Sequence, residues 1–333
     1  MIFFSLTVPE NFSCSNPMRL DVFIAEKIPE MNRSKLKTGL HEIFVNEKKE
    51  KLSYKIKAND KIEFAWEENV PDDIAPEEIP LRILFENDDV MVLNKAQGMV
   101  VHPALGHWNG TLVNALLYHW KMNAISICEK NFESEKNRRP GIVHRLDKET
   151  SGVMIVAKNR VAEEFLSSQF KNRKVRKEYF AIVQGRPPAL AGDIKTQIVR
   201  DKKHRMRFTV SQNEDEGKFA RTIYHCVASY GNYSLMHLRL KTGRTHQIRV
   251  HLKYIGCPIL GDELYGKRDA LFPNVRLLLH SRLLIIHLPK KENAMRFRAT
   301  IPKRFFDTMK ILKEKFPKEK MEFGKRHAKH KNR

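Results

Sequence analysis

Apolar positions along the 333-residue chain change their period several times, and each change marks an expected element. In MRLDVFIAEKI, Leu20, Phe23, Ile24 and Ile28 recur at helical spacing. Asn32 and Ser34 stand where the caps of a second helix belong, one carrying Arg33, Lys35 and Lys37. IFVNEKKEKLSYKIKANDKIEF then breaks into short β-prone runs separated by polar turns. Farther along, RILFEND and DVMVLNK predict a hairpin turning at Asn87–Asp89. GVMIVAKN and EYFAIVQG are apolar at both parities, the pattern of strands covered on both faces. Between them, RVAEEFLSSQFKNR has helical periodicity. YSLMHLRL alternates as a half-exposed strand does, and LLLHSRLLIIHL predicts a late strand.

Strands and helices thus mix without the regular βαβ rhythm of a doubly wound sheet. The pattern predicts an α+β fold: a large domain with a mainly antiparallel mixed β-sheet flanked by helices, preceded by a small N-terminal α/β module. The segments divide as an extension (1–16), the small module (17–66), a linker (67–80), the large domain (81–305) and a tail (306–333). WEENVPDDIAPEEIP, from Trp66 to Pro80, holds three prolines and six carboxylates, which favours an extended, solvated chain. The tail is helical at first and then basic, in GKRHAKHKNR, either adding electrostatic affinity or simply solvated.

Composition narrows the partner. The formal net charge is +22, an excess that points to a polyanion, and nucleic acid is the first candidate because each neutralised phosphate releases counterions. No apolar run reaches the ~20 residues of a membrane span. The start, MIFFSLTVPENFSCSNP, lacks a basic leader and predicts no signal peptide, which places the chain in the cytoplasm. Cys14, Cys128, Cys226 and Cys257 are far apart, so free thiols are expected rather than a disulfide framework or zinc knuckle. His246 and His251 are five apart, not at HExxH spacing, and His102, His107 and His119 make no known ligand set; no metal is expected.

HRLDKETSG, from His144 to Gly152, carries the densest chemistry. Asp147 sits between Arg145 and Lys148 on a loop before a buried strand, where cations favour the charged carboxylate. Spacing alone leaves a surface ion pair open. The segment resembles the signature of the RluA family of pseudouridine synthases, and further segments are similar to that family in the same order. These are LNKAQGMVVHPALGHWNGTLVNALLYH (Leu93–His119, with Ala96 where the family has proline), KVRKEYFAIVQG, KTGRTHQIRVHLKYIGCPILGDELYG and RLLLHSRL. The likeness spans Leu81–Pro302. The appended module and the form HPALGHWNGTLVNALLYH (His102–His119) resemble the RluD-like branch, which acts on large-subunit ribosomal RNA.

The resemblance implies an RNA-modifying isomerase that breaks the bond from ribose to N1 of an extruded uridine and rejoins the sugar at C5. Asp147 is then the catalytic carboxylate, either adding to the sugar or taking a proton to give a glycal, two uses the sequence leaves open. Tyr179 lines the pocket in the family, where a ring can stack on the detached base. Arg249 pairs with the aspartate, with Arg244 the competing candidate. Arg145 enters the RNA beside the flipped nucleotide or contacts phosphate, and Leu279 forms an apolar wall for the base or is ordinary core. Thr245 reads as the cap and Gly256 as the stop of the helix that carries Arg249, whose stripe is Ile248, Leu252 and Ile255.

The first module resembles a small RNA-binding fold shared by a small-subunit ribosomal protein and many RNA-modifying enzymes. It departs at Val45-Asn46-Glu47, where the usual turn is Val-Asn-Gly, and Arg33 and Lys35 are its expected RNA contacts. The isomerisation involves no redox change or external nucleophile, so no cofactor is expected, and the chain is expected to act as a monomer. Three other readings stand beside this one: a transfer RNA substrate for the same chemistry, a non-catalytic RNA-binding ribosome-assembly protein, and a carboxylate glycosidase, for which no second placed carboxylate is evident.

Overall fold

The computed structural model describes residues 2–12, 17–28, 31, 36, 40–66, 74–103, 107–121, 141–204 and 206–316. The chain divides into two compact units, Met1–Asp72 and Asp73–Arg333.

The first unit holds strands β1 (Ile2–Thr7), β2 (Leu40–Val45), β3 (Lys48–Lys49) and β4 (Lys61–Trp66) and helix α1 (Leu20–Lys27). The strand order is β1-β4-β2-β3, every pair antiparallel. The helix presses Leu20, Phe23 and Ile24 against Ile43, Val45, Ile62, Phe64 and Trp66. Residues 1–16, read from sequence as an extension outside the module, include β1, which registers Ile2 against Trp66 through Thr7 against Lys61. Six residues alternating weakly in polarity gave no strong strand signal; pairing with the edge of β4 supplies the order. Asn46 and Glu47 form the β2–β3 turn, both at positive φ (51° and 66°). That geometry belongs to a two-residue hairpin turn, in which the second position favours glycine. Asn46 fixes the turn by donating to Asp60 Oδ1 at 2.8 Å and accepting from the Lys61 amide at 2.9 Å. Arg33 and Lys35 lie outside the described residues.

In the second unit, the described strands form one large mixed sheet. They are β5 (Ile83–Glu86), β6 (Val90–Lys95), β7 (Ser151–Ala157), β8 (Arg176–Gln184), β9 (Ala191–Arg200), β10 (Phe208–Ser211), β11 (Lys218–Tyr230), β12 (Tyr233–Leu240), β13 (Leu279–Ile286) and β14 (Met295–Arg298). The order is β10-β9-β11-β12-β8-β13-β7-β6-β5, with β14 on β13. Every pairing is antiparallel except β13 with β7. The fold is α+β with a mainly antiparallel sheet, as the sequence pattern predicts.

Alternation splits the apolar residues between two cores, one on each face of the sheet. Met91, Leu93, Met154 and Val156 face one core, shared with helix α2 (Leu112–His119) through Leu112 and Leu116, and with α4 (Gln247–Tyr254) and α5 (Lys303–Lys315). Val90, Val92, Val153, Ile155 and Ala157 face the other, covered by α3 (Arg160–Lys171) through Ala162 and Leu166. All seven residues of β7 are buried, which is why its sequence shows no alternation. Asn159 caps α3, its Oδ1 accepting from the Ala162 amide at 2.9 Å. The segment 74–80, inside the sequence-defined linker, is irregular and is pinned to the N-terminal end of α2. Ala75 O accepts from Asn114 Nδ2 at 2.8 Å, and Glu77 accepts from the Gly110 amide at 3.0 Å.

Two glycines are forced by the backbone. Gly152, at φ +120°, lies where β7 meets β13, and a Cβ there would stand 2.1 Å from the Ser281 carbonyl oxygen. Gly256, at φ +78°, follows α4 and closes it as the sequence predicts. The start of α4 differs from expectation. His246, in a left-handed conformation, precedes Gln247, and Thr245 does not cap it. No side chain caps α4; Gln247 instead ties down the turn before it, its Oε1 accepting from Thr242 Oγ1 at 2.7 Å and from the Arg244 amide at 2.9 Å. Its Nε2 donates to Arg221 O and Thr222 Oγ1. Thr245 is left exposed.

Candidate active site

Asp147 rides on the loop that enters β7, and the loop is held from behind. The Lys95 side chain, 1% exposed at the end of β6, donates to Ala96 O (2.8 Å), Met99 O (2.8 Å) and Lys148 O (3.2 Å). Three carbonyls match the three N–H bonds of an ammonium. Burial pushes Lys95 down to about 7, while Asp147 and Glu149 pull it back up. Gln97 Nε2 bonds Glu149 O and Leu277 O, Gly98 N donates to Lys148 O, and Arg276 clasps the Glu149 carboxylate. His144, at the loop's start, accepts from the Ile155 amide at 3.0 Å and stacks on Phe170 at 4.6 Å. Burial, with Lys177 nearby, holds this imidazole well below its usual range and so neutral.

Across from the loop, α4 presents Arg249. Its Nη1 is 3.7 Å from Asp147 Oδ2, an ion-pair distance rather than a hydrogen bond. Its firm partner is Asp262: Nε to Oδ2 and Nη2 to Oδ1, both 2.8 Å. Asp262 is itself fixed by the amides of Leu264 and Tyr265, each 3.0 Å from Oδ1. The guanidinium also lies over the Tyr265 ring, 5.0 Å from its centroid. Burial works against the charge on Arg249, but Asp262 and Asp147 together raise its affinity for the proton.

Tyr179 comes from β8, opposite Leu238 on one neighbour and Ser281 on the other. Burial pushes its hydroxyl up to about 12; the Ser281 hydroxyl pulls it down and Asp147 pushes it up. At neutral pH the ring is therefore a neutral phenol, able to stack and donate but not a ready base. Asp147, Tyr179, Arg249, Arg145 and Leu279 all line one cavity of about 440 Å³. Arg145 is exposed, whereas Leu279 is buried. Arg244, the competing candidate, also lines the cavity, but its Nε is engaged with Phe219 O at 3.0 Å. Among the lining residues Asp147 is the one carboxylate, against seven lysines and arginines.

Residues 89–254 match the family model described as RNA pseudouridylate synthase. The chain is 44% identical over 296 residues to ribosomal large subunit pseudouridine synthase D of Borreliella burgdorferi, covering 87% of this chain and 88% of that protein. The chain belongs to the RNA pseudouridylate synthase family. It is an isomerase acting on uridine in RNA. The protein of the same description from Haemophilus influenzae is 36% identical over 310 residues, covering 89% of this chain and 91% of its own. Among solved structures, human RNA pseudouridylate synthase domain containing 4 superposes with a TM-score of 0.53 at 26% identity, over 70% of this chain and 93% of that one.

Several site residues escaped the sequence reading. Asp262 is 13 positions from Arg249 and becomes its neighbour only because the chain turns back after α4. Lys95 reads locally as the polar end of a strand. Lys177 shares a strand face with Tyr179, so strand alternation from Tyr179 held the signal.

Proposed function

We propose that Asp147 is the catalytic carboxylate and that the substrate is large-subunit ribosomal RNA. The supporting observation is convergence: Asp147, Tyr179, Arg249, Arg145 and Leu279, from separate parts of the second unit, border one cationic cavity. In this reading Asp147 acts on the ribose of an extruded uridine, and Arg249, braced by Asp262, keeps the carboxylate charged and turned toward the sugar. The neutral ring of Tyr179 stacks on the base while it is detached, with Leu279 as the apolar wall behind it. Arg145 reaches into the RNA where the nucleotide has left the stack. Arg33 and Lys35 of the first unit add RNA contacts. The relatives named for the ribosomal large subunit support that substrate, since the chain is alike nearly end to end with them. The protein works as a monomer in the cytoplasm; no described helix is long and apolar enough to cross a membrane.

The test uses RNA tritiated at uridine C5. The purified chain should release tritium from large-subunit ribosomal RNA without cleaving the chain or freeing uracil. Release from transfer RNA alone would move the substrate assignment, and free uracil would mark a hydrolase.

A further inference from the structure

Lys177 lies two residues before Tyr179 on β8, so the two side chains leave the same face of the strand, about 7 Å apart along it. Both line the cavity that holds Asp147. The Lys177 ammonium is 5.8 Å from the centre of the Phe170 ring, and a Cβ on Gly243 would stand 3.4 Å from its nitrogen. Among the described residues no carboxylate lies within ion-pair distance of it. The neighbouring Glu178 points to the other face, bonded to Arg176 and His237. The same cavity is lined by His144, Arg145 and Asp147 from the loop before β7, Lys171 and Arg173 from the end of α3, and Lys241, Arg244, His246 and Arg249 from the β12–α4 loop and α4. Asp147 is the one carboxylate among them. Desolvation pushes Lys177 itself down to about 8.

We propose that the Lys177 ammonium binds a carbonyl oxygen of the flipped uracil and stabilises the negative charge the base acquires when it leaves the sugar. When the C1′–N1 bond breaks, its electron pair stays with the base and spreads onto the ring oxygens. Meanwhile C1′ bonds to the Asp147 carboxylate, or C2′ gives that carboxylate a proton. On either route the base is anionic until C5 bonds to C1′, a step that breaks the C1′–Asp147 ester bond or returns the proton from Asp147 to C2′; C5 then loses its proton and N1 gains one. An unpaired cation beside the leaving base is worth more in a water-poor pocket than in solvent. Exposed Lys171 and Arg173 suit phosphates; Lys177 rises instead from a central strand of the sheet, beside the ring assigned to the base.

This rests on the proposed role of Asp147, and the experiment separates the two. Single-turnover tritium release and RNA affinity are measured for the full chain, Lys177→Met, Lys177→Arg and Asp147→Asn. Lys177→Met should slow release by about 100-fold, with its Kd for RNA within about threefold of the parent, and Lys177→Arg should recover about tenfold of the loss. The parent rate should fall as pH rises through about 8, and Lys177→Met should lack that limb. Weakened RNA binding with an unchanged rate would make Lys177 a phosphate contact and overturn the proposal. A fall in thermal midpoint that tracks the rate, without rescue by arginine, would make it structural and also overturn it. Release that persists in Asp147→Asn would sink the Asp147 reading instead, whatever Lys177 does.

Discussion

Arg249 and Asp262 are joined by two parallel hydrogen bonds of 2.8 Å, and the same guanidinium stands 3.7 Å from Asp147. The arginine is thus anchored by one carboxylate and offered to another. Asp262 has no exposed side-chain surface, so the pair is paid for in desolvation and cannot be loosened cheaply. Asp262→Asn should destabilise the fold by roughly 3 kcal/mol, read from urea unfolding, and should lower kcat more than RNA affinity. A variant with wild-type turnover would mean that Arg249 needs no brace.

Gly152 and Gly256 both have positive φ, yet their surroundings differ. A Cβ at Gly152 meets the Ser281 backbone at 2.1 Å, whereas at Gly256 nothing lies within 4 Å. Gly152→Ala should fail to give soluble folded protein, because it pushes β7 from β13 directly behind the loop that carries Asp147. Gly256→Ala should fold and lose about 1 kcal/mol, the ordinary strain of a left-handed residue. Comparable thermal midpoints for the two variants would contradict this packing argument.

The β2–β3 turn carries a correctable strain. Glu47 holds φ +66° where glycine is at ease. Glu47→Gly should raise the stability of the first unit by about 1 kcal/mol, measured by thermal unfolding. No gain would show that the Glu47 side chain makes compensating contacts.

Acid should loosen the second unit through its buried histidines. His251 and His280 are fully buried, and desolvation pushes each down to about 4. Unfolding returns them to about 6.5, so between those values the unfolded chain binds more protons. Stability is therefore retained above pH 6.5 and declines as pH falls toward 4, by at most on the order of 3 kcal/mol per histidine. The urea midpoint should drop over that window, and His251→Asn should flatten the slope. An unchanged slope would mean that His251 stays solvated or is protonated in the fold.

What the sequence disclosed followed the range of the interactions. β7 and α3 were legible because burial marks the chain directly, as an unbroken apolar run in SGVMIVA and a helical period in RVAEEFLSSQFK. Asp147 and Tyr179 stood out through dense local motifs. β1 was missed because six residues of mixed polarity become a strand only when β4 supplies a partner. Thr245 looked like a cap because hydroxyl residues favour that position, but Gln247 closes the turn through contacts with Thr242, Arg221 and Thr222 that no local pattern encodes. Asp262 was missed for the same reason: its pairing is a product of the tertiary fold.

The account stands on the carboxyl oxygen that Arg249 faces. Its most direct measurement is tritium release from C5-labelled large-subunit ribosomal RNA by Asp147→Asn, a change that removes the charge and keeps the shape. Release should be abolished while RNA affinity and thermal midpoint stay near those of the parent. Sustained release by the variant would contradict the assignment of Asp147.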